Sequence, residues 1–159
     1  MPTTITPERP DSADAVALIA ELDGVLAPGY LAASRHGSSV EKLVREGVAF
    51  YVIRQDGGPA GCGGIQLLGV EYGEVKRMYV RPAFRGRGVG RMMLDRLVAH
   101  ALEHGVTLVR LETGIHQREA IGLYERYGFR RIGPFGAYRP DPLSVFFENR
   151  IEAERRAQP

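Results

Sequence analysis

Lys76, Arg77, Arg81, Arg85, Arg87, Arg91 and Arg96 crowd a stretch in which Asp95 is the one acid, and Gly86, Gly88 and Gly90 sit among them. Cations hold an anion well only when the backbone helps. Glycine lets it, because without a Cβ it leaves N–H groups bare and reaches left-handed φ. Just before the turn, residues 75–80 form a β-prone run that Pro82 stops, since proline cannot donate to a ladder. From Val89 onward, Met93, Leu97 and Ala101 recur at helical spacing, with Leu94, Val98 and Leu102 alongside. Strand, glycine turn and helix start bring unpaired N–H groups to one point, and the helix dipole adds positive potential there. The predicted chemistry is a pyrophosphate cradle; the plainer alternative is a strand-to-helix turn with solvated arginines.

Composition narrows what such a cradle serves. A length of 159 residues predicts a single domain over 1–159, and 44% hydrophobic with 25% charged residues are values of an ordinary soluble protein. A net charge of +2 is too small to forecast nucleic-acid binding, so the local basic cluster favours a compact anionic ligand. The lone Cys62 excludes an internal disulfide and suits a reducing compartment. The first twenty residues lack a basic region followed by an apolar core, and no run approaches the roughly 18 apolar residues of a membrane span. A cytoplasmic location is expected. His36, His100, His104 and His116 lack ligand spacing, so no metal is expected either.

The elements that must position the cradle can be read in order. Residues 3–9 alternate weakly as an edge strand. Residues 13–26 predict a helix with Val16, Ile19, Ala20 and Leu26 available to a core, capped by Asp11 or Ser12. A short helix around Val40, Leu43 and Val44 closes at Gly47. Residues 49–53 and 60–69 predict a hairpin about the turn at 55–59, and Gly61, Gly63 and Gly64 suggest a bulge or a close backbone approach. Three antiparallel strands thus deliver the chain to the turn. The helix after it ends at His104 and Gly105, and a strand at 106–112, following a crossover helix, lies parallel to the earlier one. A second helix at 117–127, strands at 129–132 and 144–149, and a charged tail from 151 complete the chain.

The turn is neither a dinucleotide fingerprint nor a P-loop, because no N-terminal βα unit surrounds it and no Gly-Lys-Ser/Thr follows. It fits Gln/Arg-x-x-Gly-x-Gly/Ala through Arg85, Gly88 and Gly90. A second segment follows at Gln117-x-x-Ala120-x-x-Leu123-Tyr124-x-x-x-Gly128-Phe129. With both in this order and spacing, the chain resembles the GNAT superfamily of acyl-CoA N-acetyltransferases over about residues 48–150. Segments 111–114 and 134–146 further resemble a bacterial, small-molecule branch of it. Position 117 departs, carrying Gln where the family often has Asn. The resemblance implies a mixed α/β (α+β) fold: a mostly antiparallel sheet opened by a central splay between two parallel strands, with helices on both faces.

It also implies roles. The N–H groups of Arg85, Gly86, Arg87, Gly88, Val89, Gly90 and Arg91 would take the pyrophosphate of acetyl-CoA, with Arg81, Arg87 and Arg91 candidates for its ribose phosphate. Met78, Tyr79 and Val80 would pair with the pantetheine arm, the Val80 N–H also facing the oxyanion, unless an ordinary ladder occupies them. Gln117 would bond the pantetheine or a nearby carbonyl. Acetyl transfer to an amine needs a base, because amines hold a proton at neutral pH, and the leaving thiolate benefits from an acid. Glu74 matches the family's base position, and Glu71, Glu112 and His116 are weaker candidates; otherwise Glu74 is a strand-end carboxylate paired with Lys76. Tyr124 matches the acid position; otherwise it is a core aromatic.

Cys62, flanked by small residues, reads as an inert thiol. Tyr30, His36, Tyr138 and Arg139 fall in loops that would line an acceptor pocket. The implied acceptor is a primary amine on a small molecule, attacked directly with no acyl-enzyme. A protein lysine or N-terminal amine, or a non-catalytic CoA sensor, stays open beside it, as does a homodimer.

Overall fold

Among the described residues seven strands form one sheet, in the spatial order Thr4–Pro7, Ala49–Gln55, Gly58–Leu68, Tyr72–Val80, Leu108–Gly114, Ser144–Arg150, Arg130–Ile132. The computed structural model describes residues 2–29 and 38–151; Tyr30, His36 and the tail from 152 lie outside the described residues. The strands are β1 (Thr4–Pro7), β2 (Ala49–Gln55), β3 (Gly58–Leu68), β4 (Tyr72–Val80), β5 (Leu108–Gly114), β6 (Arg130–Ile132) and β7 (Ser144–Arg150). Helices α3 (Val89–Glu103) and α4 (Arg118–Tyr127) cover one face, where Val89, Met93, Leu97, Tyr124 and Tyr127 share a core with Ile65 and Val75. Helices α1 (Ala13–Leu26) and α2 (Val40–Arg45) cover the other, packing Leu18, Ile19 and Leu43 on Phe50, Val52 and Tyr79. None of the described helices is long and apolar enough to cross a membrane.

Local chemistry accounts for the boundaries. Ser12 and Ser39 cap α1 and α2 by accepting from the Ala15 and Lys42 N–H groups, each at 3.2 Å. Asp56 (φ 53°) and Gly57 (φ 81°) make the two-residue turn whose twist suits a hairpin, so Gln55 pairs with Gly58. The β3–β4 pairing is antiparallel throughout. Between β4 and β5 the parallel pairing covers only Gly73↔Val109 and Glu74↔Arg110, after which the strands diverge. That is the expected splay.

Two expectations need correction. The buried stripe of α1 is Ala15, Leu18 and Ile19, while Val16 is 42% exposed and Ala20 faces solvent. The helix carries apolar residues at nearly every angle, so its pattern fixes no face. Strand β5 starts at Leu108, because the Val106 N–H is drawn back to the Ala101 carbonyl at 2.9 Å to finish α3. The bulge or close approach expected at the β3 glycines is present: β3 carries an extra residue against β2 between Pro59 and Gly61, and a second shift lies against β4. Cys62 pairs with Tyr79 but Gly64 with Lys76, so β4 holds the extra residue, at Arg77 (φ 53°). The glycines also admit neighbours, as expected: a Cβ on Gly64 would stand 2.8 Å from Val48 Cγ1, and one on Gly61 would overlap the Tyr79 carbonyl oxygen.

Candidate active site

The open edge of β4 is the first component. Arg81 donates its N–H to the Ala60 carbonyl at 2.8 Å, and antiparallel alternation then turns the N–H and C=O of Val80 away from β3. Arg85 Nε reaches that Val80 carbonyl at 3.2 Å, on the side where β5 has left.

The turn is the second. Gly86 (φ 78°) and Gly88 (φ 79°) hold left-handed conformations with open space where a Cβ would be. Gly90 serves differently: a Cβ there would lie 2.6 Å from Leu123 Cδ2, so its absence lets the start of α3 close on α4. Gly88 is the N-cap of α3 and contributes no side-chain cap, and the first turn has no acidic residue. The orphan N–H groups of that turn therefore stay available to an anion.

A cleft of about 650 Å³ joins these parts, floored by Met78, Tyr79 and Val80 and lined by Arg85, Gly86, Gly88, Val89, Gly90, Arg91, Gln117 and Tyr124. Arg87 is not in its lining: its guanidinium pairs with Asp56 at 2.9 Å and stacks over Phe84. Arg81 also turns away, held by the Glu21 carboxylate at 2.6 and 3.0 Å and by the Pro59 carbonyl. Tyr79 offers the cleft only its backbone side, because its ring packs under α1 and its hydroxyl donates to Glu21. Arg118 and Arg126 of α4 also line the cleft, two cations outside the basic stretch at 76–96 and not singled out from sequence. Their signal was available in the second motif itself, as basic residues on the helix carrying Tyr124.

A smaller cavity of about 120 Å³ opens deeper in the splay, lined by Glu74, Lys76, Glu112, Tyr124 and Tyr138 among others. Leu22, Met78, Gln117, Ala120 and Tyr124 line both spaces, so the two meet at Tyr124. Burial and then the Glu112 charge push the Tyr124 phenol well above its usual range, which keeps it protonated. Among the described residues its hydroxyl has no hydrogen-bond partner, and Phe129 and Phe147 clamp the ring. Glu74 is buried and accepts from the Tyr138 hydroxyl at 2.6 Å. Tyr138 is set by Phe135 and Phe146, and burial raises its phenol too.

Of the other base candidates, Glu112 lines the small cavity and accepts from Ser144 Oγ at 2.8 Å, His116 lines the larger cleft, and Glu71 is exposed at a turn. Arg139 is exposed and in neither lining. Cys62 is fully buried, its thiol pushed up to about 12 by burial. Among the described residues no group of three His, Cys, Asp or Glu could hold a metal.

A splayed mixed sheet with a glycine turn at the mouth of the splay defines a class of acyltransferase. The sequence profile of the acetyltransferase (GNAT) family matches residues 26–129, and the chain belongs to that family: it is an acetyl-CoA-dependent N-acetyltransferase. An IAA acetyltransferase of Azospirillum brasilense is 43% identical over 146 residues, 91% of this chain and 95% of that one. A Klebsiella pneumoniae protein assigned to the acyl-CoA N-acyltransferases superposes with a TM-score of 0.80 at 38% identity, over 94% of this chain and 98% of that one. The PaiA N-acetyltransferase of Thermoplasma acidophilum, solved with coenzyme A, superposes at 0.74 over 94% and 99%; at 18% identity it shows likeness of fold alone.

Proposed function

We propose that the chain moves the acetyl group of acetyl-CoA onto a primary amine of a small molecule by direct attack. The observation carrying this reading is Tyr124, a protonated phenol whose hydroxyl has no hydrogen-bond partner among the described residues, at the junction of a large cleft and a small, partly enclosed cavity that also holds the buried Glu74. The cleft suits coenzyme A: bare N–H groups at the start of α3 and the cations Arg85, Arg91, Arg118 and Arg126 for its phosphates, and the free edge of β4 for the pantetheine. Gln117, which lines both spaces, is placed to bond the pantetheine.

In this mechanism the amine loses its proton to Glu74, directly or through water, and its lone pair attacks the thioester carbonyl. The Val80 N–H donates to the oxygen as negative charge develops there. Collapse breaks the C–S bond, and Tyr124 gives the departing sulfur its proton; a phenolate that basic regains one at once from solvent. No acyl-enzyme is formed, which agrees with the buried, high-pKa thiol of Cys62. The small cavity favours a small molecule over a protein lysine. Thiol release across an amine panel tests the roles. Tyr124→Phe and Glu74→Gln are each expected to lower kcat by about 100-fold or more with little change in KM for acetyl-CoA. Unchanged kcat on a true substrate would refute both assignments.

A further inference from the structure

The small cavity contains a cation that the mechanism above does not use. Lys76 lines it, with a side chain only 13% exposed, and its nearest counter-charge is Glu74 Oε2 at 3.9 Å, beyond hydrogen-bond reach. Among the described residues, no hydrogen bond to its ammonium exists. An ammonium has three donors, and with no protein acceptor on them they are open to whatever enters the cavity. Glu74, by contrast, already accepts from Tyr138. The pair is thus lopsided: a carboxylate held by Tyr138 beside an ammonium that no described protein group holds by a hydrogen bond.

We propose that Lys76 binds a carboxylate on the acceptor, making the substrate class a compact amino acid. This rests on the amine-acetylating reading above. The zwitterion lies alongside the pair, its amine toward Glu74 and its carboxylate on the ammonium of Lys76. The 3.9 Å between the two side chains suits a ligand whose own charges lie one or two carbons apart. A cavity of about 120 Å³ is on the scale that admits a benzene-sized ligand, which also selects for a small acceptor. Once the amine has given up its proton, its nitrogen forms the amide bond, the C–S bond breaks, and the product keeps its carboxylate on Lys76 with coenzyme A leaving as the thiol.

The test pairs amino acids with their decarboxylated amines, such as β-alanine, L-alanine and larger members, as acceptors for the full chain with saturating acetyl-CoA. In the best pair, kcat/KM for the amino acid is expected to exceed that for the plain amine by about tenfold or more, as a hydrogen bond to a charged group warrants. In Lys76→Met that ratio is expected to fall toward one through KM, while Lys76→Arg, which keeps a cation, retains part of it. Should Lys76→Met fail to fold, the wild-type ratio and the arginine variant still decide. Plain amines acetylated as well as amino acids would overturn this inference and leave the proposed function standing. No turnover in either arm would overturn both.

Discussion

Gly61→Ala tests whether the position of β4 is set by what β3 leaves out. A Cβ at Gly61 would sit closer than 3.0 Å to the Tyr79 carbonyl oxygen and 3.3 Å from Val80 Cα. Both neighbours are backbone, so no rotamer change relieves the overlap, and one strand must move by on the order of half an ångström or more. Overpacking of this kind is expected to lower stability by about 1–3 kcal/mol. For a chain of this size that is a fall in Tm of roughly 3–10 °C, read in a thermal melt. The displaced segment is the edge proposed to pair with the pantetheine and the oxyanion, so coenzyme A affinity should weaken by about tenfold, as the loss of one to two backbone hydrogen bonds implies. Gly58→Ala, in the same strand with nothing within 4 Å of its added carbon, is the control and should change neither quantity appreciably. If Gly61→Ala melts and binds coenzyme A as the wild type does, the close-approach argument is wrong.

Two further outcomes follow from named contacts. Tyr138→Phe deletes the donor to buried Glu74, so it should lower Tm by roughly 2–10 °C, as about 1–3 kcal/mol predicts, and lower kcat as the carboxylate loses its anchor; an unchanged melt would mean that the bond contributes nothing. The Arg81 guanidinium, through hydrogen bonds before simple attraction, holds the Glu21 carboxyl below its unperturbed 4.5. A depressed folded pKa means stability that is full above about pH 4.5 and is lost as pH falls through the folded value. Glu21→Gln should therefore flatten the acid side of a Tm-versus-pH curve below about pH 4.5, and equal slopes in the two proteins would remove this pair from the account.

Much of this was legible because it is local. Pro82, Gly86, Gly88 and the apolar run from Val89 each act on their own stretch of chain, so strand, turn and helix appear in the structure where the residues predicted them. The bounds of α1 were readable for the same reason, with Ser12 before the helix and Pro28 after it. What could not be read depends on partners far along the chain. Tyr138 meets Glu74 across 64 residues, Arg81 is claimed by Glu21 across 60, and Arg87 by Asp56 across 31. Each choice removes a side chain from one role and gives it another, and nothing in the local pattern encodes it. The third glycine of the turn also changed meaning, because Gly90 answers to Leu123 rather than to its own backbone.

The extra residue at Arg77 acts on β4 as a shift of reading frame. Val75 points into the core beneath α3, and two-residue periodicity would send Tyr79 the same way; instead Tyr79 lies under α1, and Met78 and Val80 take the α3 side. One strand therefore presents Glu74 and Lys76 toward the acceptor cavity and, past the shift, a differently phased edge toward the thioester. Deleting the extra residue would restore plain alternation and leave Met78, Tyr79 and Val80 on their present faces, whereas inserting a residue after Met78 would turn Tyr79 toward α3 and sever it from Glu21. The strand is thus expected to keep its faces on loss of the extra residue and to lose them on an insertion beyond it.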